Sequence, residues 1–111
     1  MAEVTSNPLA GEVTDSLGRL IKFRKLKASD RGKLSRALGA AAKDEMTFGQ
    51  SYIAYMVTSI DGDAVFAPSN LMEAEILTDR LGDEGLEAVG RAYAKAWPSA
   101  LTDGDIDAAK N

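Results

Sequence analysis

Neither cysteine nor histidine occurs in the 111 residues of the chain. Their absence removes thiol nucleophiles, disulfides, thiolate and imidazole metal ligands, and imidazole general bases. Serine triads that depend on histidine go with them. Apolar runs are short: nothing approaches the 18 or so residues of a membrane span, and the start of the chain carries no basic segment leading into an apolar run. The sequence therefore predicts neither a spanning helix nor export by that signal. Glycine-rich phosphate loops are missing too, since no GxGxxG follows a strand and no GxxxxGK[ST] occurs. Carboxylate pairs such as Glu73 with Glu75, or Asp83 with Glu84, lack the i, i+3 or i+4 spacing that brings helical side chains together. No catalytic set can be assembled from what remains, and the expectation is a non-enzymatic protein without cofactor or metal.

What is present is an ordinary globular composition with an uneven distribution of charge. Apolar residues make up 45% and charged residues 27%, and the length suits one domain with a modest core. The net charge of −4 conceals two halves. Nine Lys or Arg fall in residues 19–43 against Asp30 alone, whereas thirteen acids follow from Asp44 onward against Arg80, Arg91, Lys95 and Lys110. Such a split either steers head-to-tail contact between copies or marks two solvated faces.

Periodicity divides the chain into elements. Residues 1–10 show none and contain Pro8, and are expected to form a flexible leader. Val13 precedes the turn Asp15-Ser16-Leu17-Gly18, and Leu20, Ile21 and Phe23 then mix with Lys22, Arg24 and Lys25, which predicts a half-buried hairpin. Ser29 or Asp30 would cap a first helix with the face Leu34, Ala37, Leu38, Ala41 and Ala42. Gly32 and Gly39 weaken that helix by about 1 kcal/mol each relative to alanine. A second helix is expected from near Thr47, with one stripe of Phe48, Tyr52, Tyr55, Met56 and Ser59 and another of Ile53, Val57 and Ile60, ending at Asp61-Gly62-Asp63. A short strand is read at Ala64-Val65-Phe66. Asn70 with Glu73 has the form of a capping box. It would open a third helix running through Met72, Ile76, Leu77 and Arg80 to Leu81, with Gly82 as its C′ glycine. Asp83 would cap a fourth, faced by Leu86, Val89, Gly90, Tyr93 and Trp97 and ended by Pro98. The reading is an α+β fold, mainly helical: an N-terminal β-hairpin followed by about four α-helices in a single domain over residues 11–98. An acidic, mobile tail would occupy 99–111.

Two patterns invite specific chemistry. The DGD runs at Asp61–Asp63 and Asp103–Asp105 resemble the start of a calcium loop. Counted from Asp61, however, position six is Phe66 and position twelve is Met72, and the second run has too little chain left, so turn chemistry explains both better. The basic segment from Arg19 to Lys43 could neutralise phosphates, yet a pI near 4.8 and the lack of any nucleic-acid signature make the wet side of an amphipathic hairpin the better account. The aromatic and Met side chains Tyr52, Tyr55, Met56 and Trp97 are the candidate partner contacts. Each is either core or part of a groove gripping an apolar helix.

The order of motifs resembles the tail assembly chaperones of long-tailed, siphophage-like bacteriophages and prophages. Those chains begin with D-x-x-G-R-x-I-x-hydrophobic-R-x-L, here Asp15-Ser16-Leu17-Gly18-Arg19-Leu20-Ile21-Lys22-Phe23-Arg24-Lys25-Leu26. An I-D-G turn follows (Ile60-Asp61-Gly62), then a proline, then L-G-D-E-G (Leu81-Gly82-Asp83-Glu84-Gly85) and a last amphipathic helix, so that the likeness spans about residues 12–97. The resemblance implies a protein of the host cytoplasm that binds the long helical tape measure protein and keeps it soluble until tail tube subunits polymerise around it. It also implies several copies on one client, with the possibility of self-association, and absence from the finished particle. A longer form made by frameshifting belongs to the same expectation: Ala109-Lys110-Asn111 can be encoded with the slippery run A AAA AAC, and a gene without that run would remove this support. Competing classes are a head–tail connector or tail terminator, which would co-purify with particles, and a small nucleic-acid-binding regulator, whose binding would fall steeply with salt.

Overall fold

The computed structural model describes residues 9–98. The expected hairpin forms: β1 (Ala10–Thr14) pairs antiparallel with β2 (Leu20–Arg24). Ala10, assigned above to the leader, is the first residue of β1, and the carbonyl of Leu9 already accepts from the Lys25 N–H at 2.9 Å. Residues 1–8 and the expected tail at 99–111 lie outside the described residues. Between the strands, the Asp15 carbonyl accepts from Gly18 N–H at 2.9 Å, and Gly18 takes φ of +82°, a conformation free of Cβ strain only in glycine.

Helix α1 (Ala28–Leu38) starts earlier than either predicted cap, with Lys27 at the N-cap position. Asp30 sits one turn in and caps backward, its carboxylate accepting from the Lys27 N–H at 2.6 Å. At the other end Gly39, with φ of +62°, stops the α-helix, and residues Gly39–Lys43 continue as a 3₁₀ turn. Ala41 and Ala42 are therefore not on the α1 face; Leu34 and Leu38 are its buried members. Helix α2 (Glu45–Met56) is capped by Asp44, whose carboxylate accepts from the N–H and hydroxyl of Thr47 at 2.9 and 2.6 Å.

The second helix ends four residues before the predicted break. Val57–Ile60 form β3, paired antiparallel with β2, and the two-residue β4 (Asp63–Ala64) closes a four-stranded antiparallel sheet of order β1-β2-β3-β4. The reason the sequence misleads here is a bulge. Register steps from Lys22↔Ser59 to Phe23↔Val57, leaving Thr58 as an extra residue in β3. That extra residue turns both Val57 and Ile60 inward although they are three apart, a spacing that otherwise belongs to helices. Val65 and Phe66 lie beyond β4 rather than in it.

Among the described residues three α-helices are present, not four. Leu71–Ala96 form one element, α3, bent at Gly82, whose φ of 67° and ψ of 179° are non-helical. Asn70 caps its start by accepting from Glu73 N–H at 2.8 Å, while the Glu73 carboxylate reaches one residue further back, to Ser69 N–H at 2.8 Å and the Ser69 hydroxyl at 2.9 Å. The core lies where the sheet, α2 and α3 meet. Ile21 and Phe23 from β2, Met56, Val57 and Ile60 from the α2–β3 junction, and Leu77, Leu81, Val89 and Tyr93 from α3 are its large members.

Candidate functional site

The four candidate partner contacts do not share one surface. Met56 is 1% exposed and Tyr55 8%, so both belong to the core rather than to a face open to a partner. Tyr52 and Trp97 are half-buried and pack against that core. Tyr52 stacks on Phe48 at 6.0 Å between ring centroids, with the Arg31 guanidinium 5.4 Å from its own ring centroid. Trp97 meets Phe23 and Tyr93 edge-on at 5.9 and 4.9 Å. Aromatic rings in such stacked and edge-on arrangements add about 0.5–1.5 kcal/mol per pair beyond area burial, which accounts for these residues as packing. The Tyr93 hydroxyl accepts from the Leu26 N–H at 3.0 Å, and burial pushes its pKa above the ordinary tyrosine value despite that bond.

Part of the basic segment is likewise drawn into structure. Arg24 pairs with the buried Asp30 at 3.0 Å and lies 5.5 Å over the Tyr55 ring. Burial alone would raise the Asp30 pKa, but the Lys27 N–H and the Arg24 guanidinium outweigh it and hold the carboxyl below the usual aspartate range. Lys22, Lys27, Lys33 and Lys43 are exposed.

Three of the motifs quoted above meet at one end of the sheet. Asp15 accepts from the N–H groups of Leu17 and Arg19 at 3.0 and 2.9 Å and from Arg19 Nε at 2.8 Å. Arg19 then crosses to α3, where its Nη1 and Nη2 donate to the carbonyls of Arg80 and Leu81 at 2.8 and 2.6 Å. Those carbonyls are the ones freed by the bend at Gly82, so Arg19 serves as a C-cap supplied from the hairpin. A Cβ at Gly85 would lie 3.3 Å from Arg19 Nη2 and 3.0 Å from Leu81 Cβ, which explains a small residue there. Asp61 joins from the β3–β4 turn, its carboxylate accepting from the Leu20 N–H at 2.8 Å and its own N–H donating to the Leu20 carbonyl at 2.7 Å. Asp61-Gly62-Asp63 are thus turn residues tied to β2; the second DGD run lies outside the described residues.

Large apolar side chains are exposed elsewhere: Leu9, Leu17 and Met46 at separate places in the chain, and three more near the start of α3. Phe66 is 85% exposed, Met72 68% and Ile76 60%. Met72 and Ile76 stand one turn apart on α3, and Ile76 and Phe66 line the same open cavity of about 330 Å³ with Val65, Pro68, Leu77 and Arg80.

No family model, curated protein or solved structure matches this chain.

Phe66 and Ile76 stood in the sequence as strand and helix-face residues without a role. The signal that separates Met72 and Ile76 from the core is the competing stripe Ala74, Leu77 and Leu81, all buried. It already supplies the inward face of the helix at i, i+3 and i+7 and places Met72 and Ile76 on the opposite side. No helix among the described residues is long and apolar enough to cross a membrane.

Proposed function

We propose that the chain is a tail assembly chaperone that binds a tape measure protein in the host cytoplasm, keeps it soluble and hands it to tail tube subunits. The observation that carries the reading is the trio Phe66, Met72 and Ile76, which are among the large apolar side chains left exposed and of which Met72 and Ile76 share one side of α3 while Ile76 and Phe66 line one cavity. Monomeric domains seldom leave neighbouring bulky apolar groups in water unless a partner covers them. The motif order over residues 12–97 supports the choice of partner.

The test is co-expression with a tape measure protein, scoring how much of the client stays soluble. The unaltered chain is expected to hold it in the supernatant. The triple variant Phe66→Ser, Met72→Gln, Ile76→Gln is expected to fold, because all three sites are exposed, and to leave the client in the pellet. An insoluble client in the presence of the unaltered chain, or full rescue by the triple variant, would defeat the assignment.

A further inference from the structure

We propose that the free edge of β1, with the part of α3 after Gly82, binds an extended peptide of the pattern basic–x–large apolar–x–acidic as a further strand of the sheet. The site lies at the edge of the sheet opposite β4, away from Phe66, and does not rest on the chaperone reading. The backbone supplies half of it. Leu9 and Asp15 both bond across to the β2 side, and the register between them is unbroken. The peptide groups of residues 9, 11, 13 and 15 therefore face β2, and those of Ala10, Glu12 and Thr14 face outward. These three have no backbone partner among the described residues. The edge strand thus carries a row of unused donors and acceptors, the template on which strand addition works.

Side chains beside that edge supply the other half. Val13 of β1 and Ala88 and Ala92 of α3, each half-buried, line an open cavity of about 340 Å³. Two alanines there leave room for one large apolar side chain. A strand added to β1 turns every second side chain toward the same face as Val13, so one such residue enters the cavity while those two before and two after it lie along the groove. The ends of the groove differ in charge. The part of α3 after Gly82 starts beside the hairpin turn, where Arg19 holds the Arg80 and Leu81 carbonyls, and ends where Trp97 meets Phe23, across from Gly11. It runs opposite to β1, with Glu84 at the Ser16 end of the groove and Lys95 at the other. Glu84 and Lys95 are exposed with no ion pair among the described residues, whereas Glu87 and Arg91 neutralise each other at 2.6 Å. Every ladder of the sheet is antiparallel. An antiparallel guest runs from the Glu84 end to the Lys95 end, which puts its basic residue first and its acidic residue last. Two guests from the chain itself fit less well. A second β1, paired antiparallel about its centre, sets Glu12 against Glu12 and offers no apolar side chain larger than Val13. The residues after Pro98 leave α3 at the Lys95 end and would have to lie parallel to β1.

The experiment uses the full chain and labelled peptides of about nine residues with threonine at the remaining positions. One is centred on Lys-Thr-Leu-Thr-Glu, one on the reversed order Glu-Thr-Leu-Thr-Lys, and one has serine in place of the leucine of the first. Fluorescence anisotropy is expected to show the first binding roughly tenfold more tightly than either of the others, with amide exchange slowed at Ala10, Glu12 and Thr14. Glu12→Pro removes an outward N–H that β2 does not use, and Ala88→Leu fills the cavity; each should abolish binding at unchanged circular dichroism, and where one fails to fold the other decides. Lys95→Glu should erase the preference between the two orders. No binding of any peptide, or binding that neither folded variant weakens, overturns the proposal, and equal affinity for the two orders overturns its charge pattern. A dimer that Glu12→Pro dissolves would assign the edge to a second copy, and a rise in peptide affinity on Leu101→Ser would assign it to the end of the chain itself; either result overturns the guest proposed here.

Discussion

Asp30 shows how much one side chain can be asked to do in a chain this small. It is 4% exposed, caps α1 from inside its first turn, and neutralises Arg24, which in turn covers Tyr55. Asp15 plays the corresponding part in the hairpin: burial pushes its carboxyl up, but the N–H and guanidinium of Arg19 and the N–H of Leu17 bring it below the ordinary aspartate value. Both groups therefore release their protons more readily folded than unfolded. The stability they contribute is complete above about pH 4–5 and is lost as the pH falls through their lowered folded values. Urea midpoints measured against pH should fall along that acid limb. Asp30→Asn should be less stable at pH 7 by about 1–3 kcal/mol, through loss of the ion pair, and should show a shallower acid limb. An acid limb of unchanged slope would mean that other carboxyls govern it.

At the scale of elements, the bend in α3 is the feature on which the arrangement turns. Gly82 adopts a conformation open to glycine alone, and the carbonyls it strands are taken by Arg19 from the hairpin 61 and 62 residues earlier in the chain. The end of the first half of α3 is thus tied to the β1–β2 hairpin by a guanidinium whose partner Asp15 has no exposed side-chain surface. Arg19→Ala should cost about 2–3 kcal/mol, since it leaves a buried carboxylate and two helix-end carbonyls without their donor, measurable as a fall in urea midpoint. Arg19→Lys should recover part of the loss but not all, because an ammonium cannot span both carbonyls and Asp15 as the planar fork does. The hairpin and the helix stop at Leu81 were legible beforehand, because turn residues and Gly82 mark them locally. The continuation of α3 past that glycine was not, since a C′ glycine and a kink glycine look the same until the next segment is placed. The strand at Val57–Ile60 was hidden for a different reason: its bulge gives it a helical spacing of inward residues.

For the molecule as a whole, the separation between core and open face decides which substitutions should unfold it and which should only disarm it. Met56→Ala, at a site 1% exposed, should lower stability by about 2–4 kcal/mol in thermal or urea unfolding, whereas an unchanged midpoint would contradict the packing described here. The exposed trio should behave in the opposite way: its replacement by polar residues should leave the unfolding midpoint nearly unchanged and, under the proposed function, abolish client binding. Composition and pattern by themselves determined the absence of cysteine and histidine chemistry, the α+β class, the N-terminal hairpin and most inward faces, because these follow from residue type and local period. Which apolar side chains remain in water was decided only by the tertiary structure. Met56, Met72 and Ile76 are all large and apolar and all sit on helices, and a helix periodic on more than one side does not say which side its neighbours will cover. That choice is made when the sheet and α2 close over the Ala74–Leu77–Leu81 stripe and leave Phe66, Met72 and Ile76 outside.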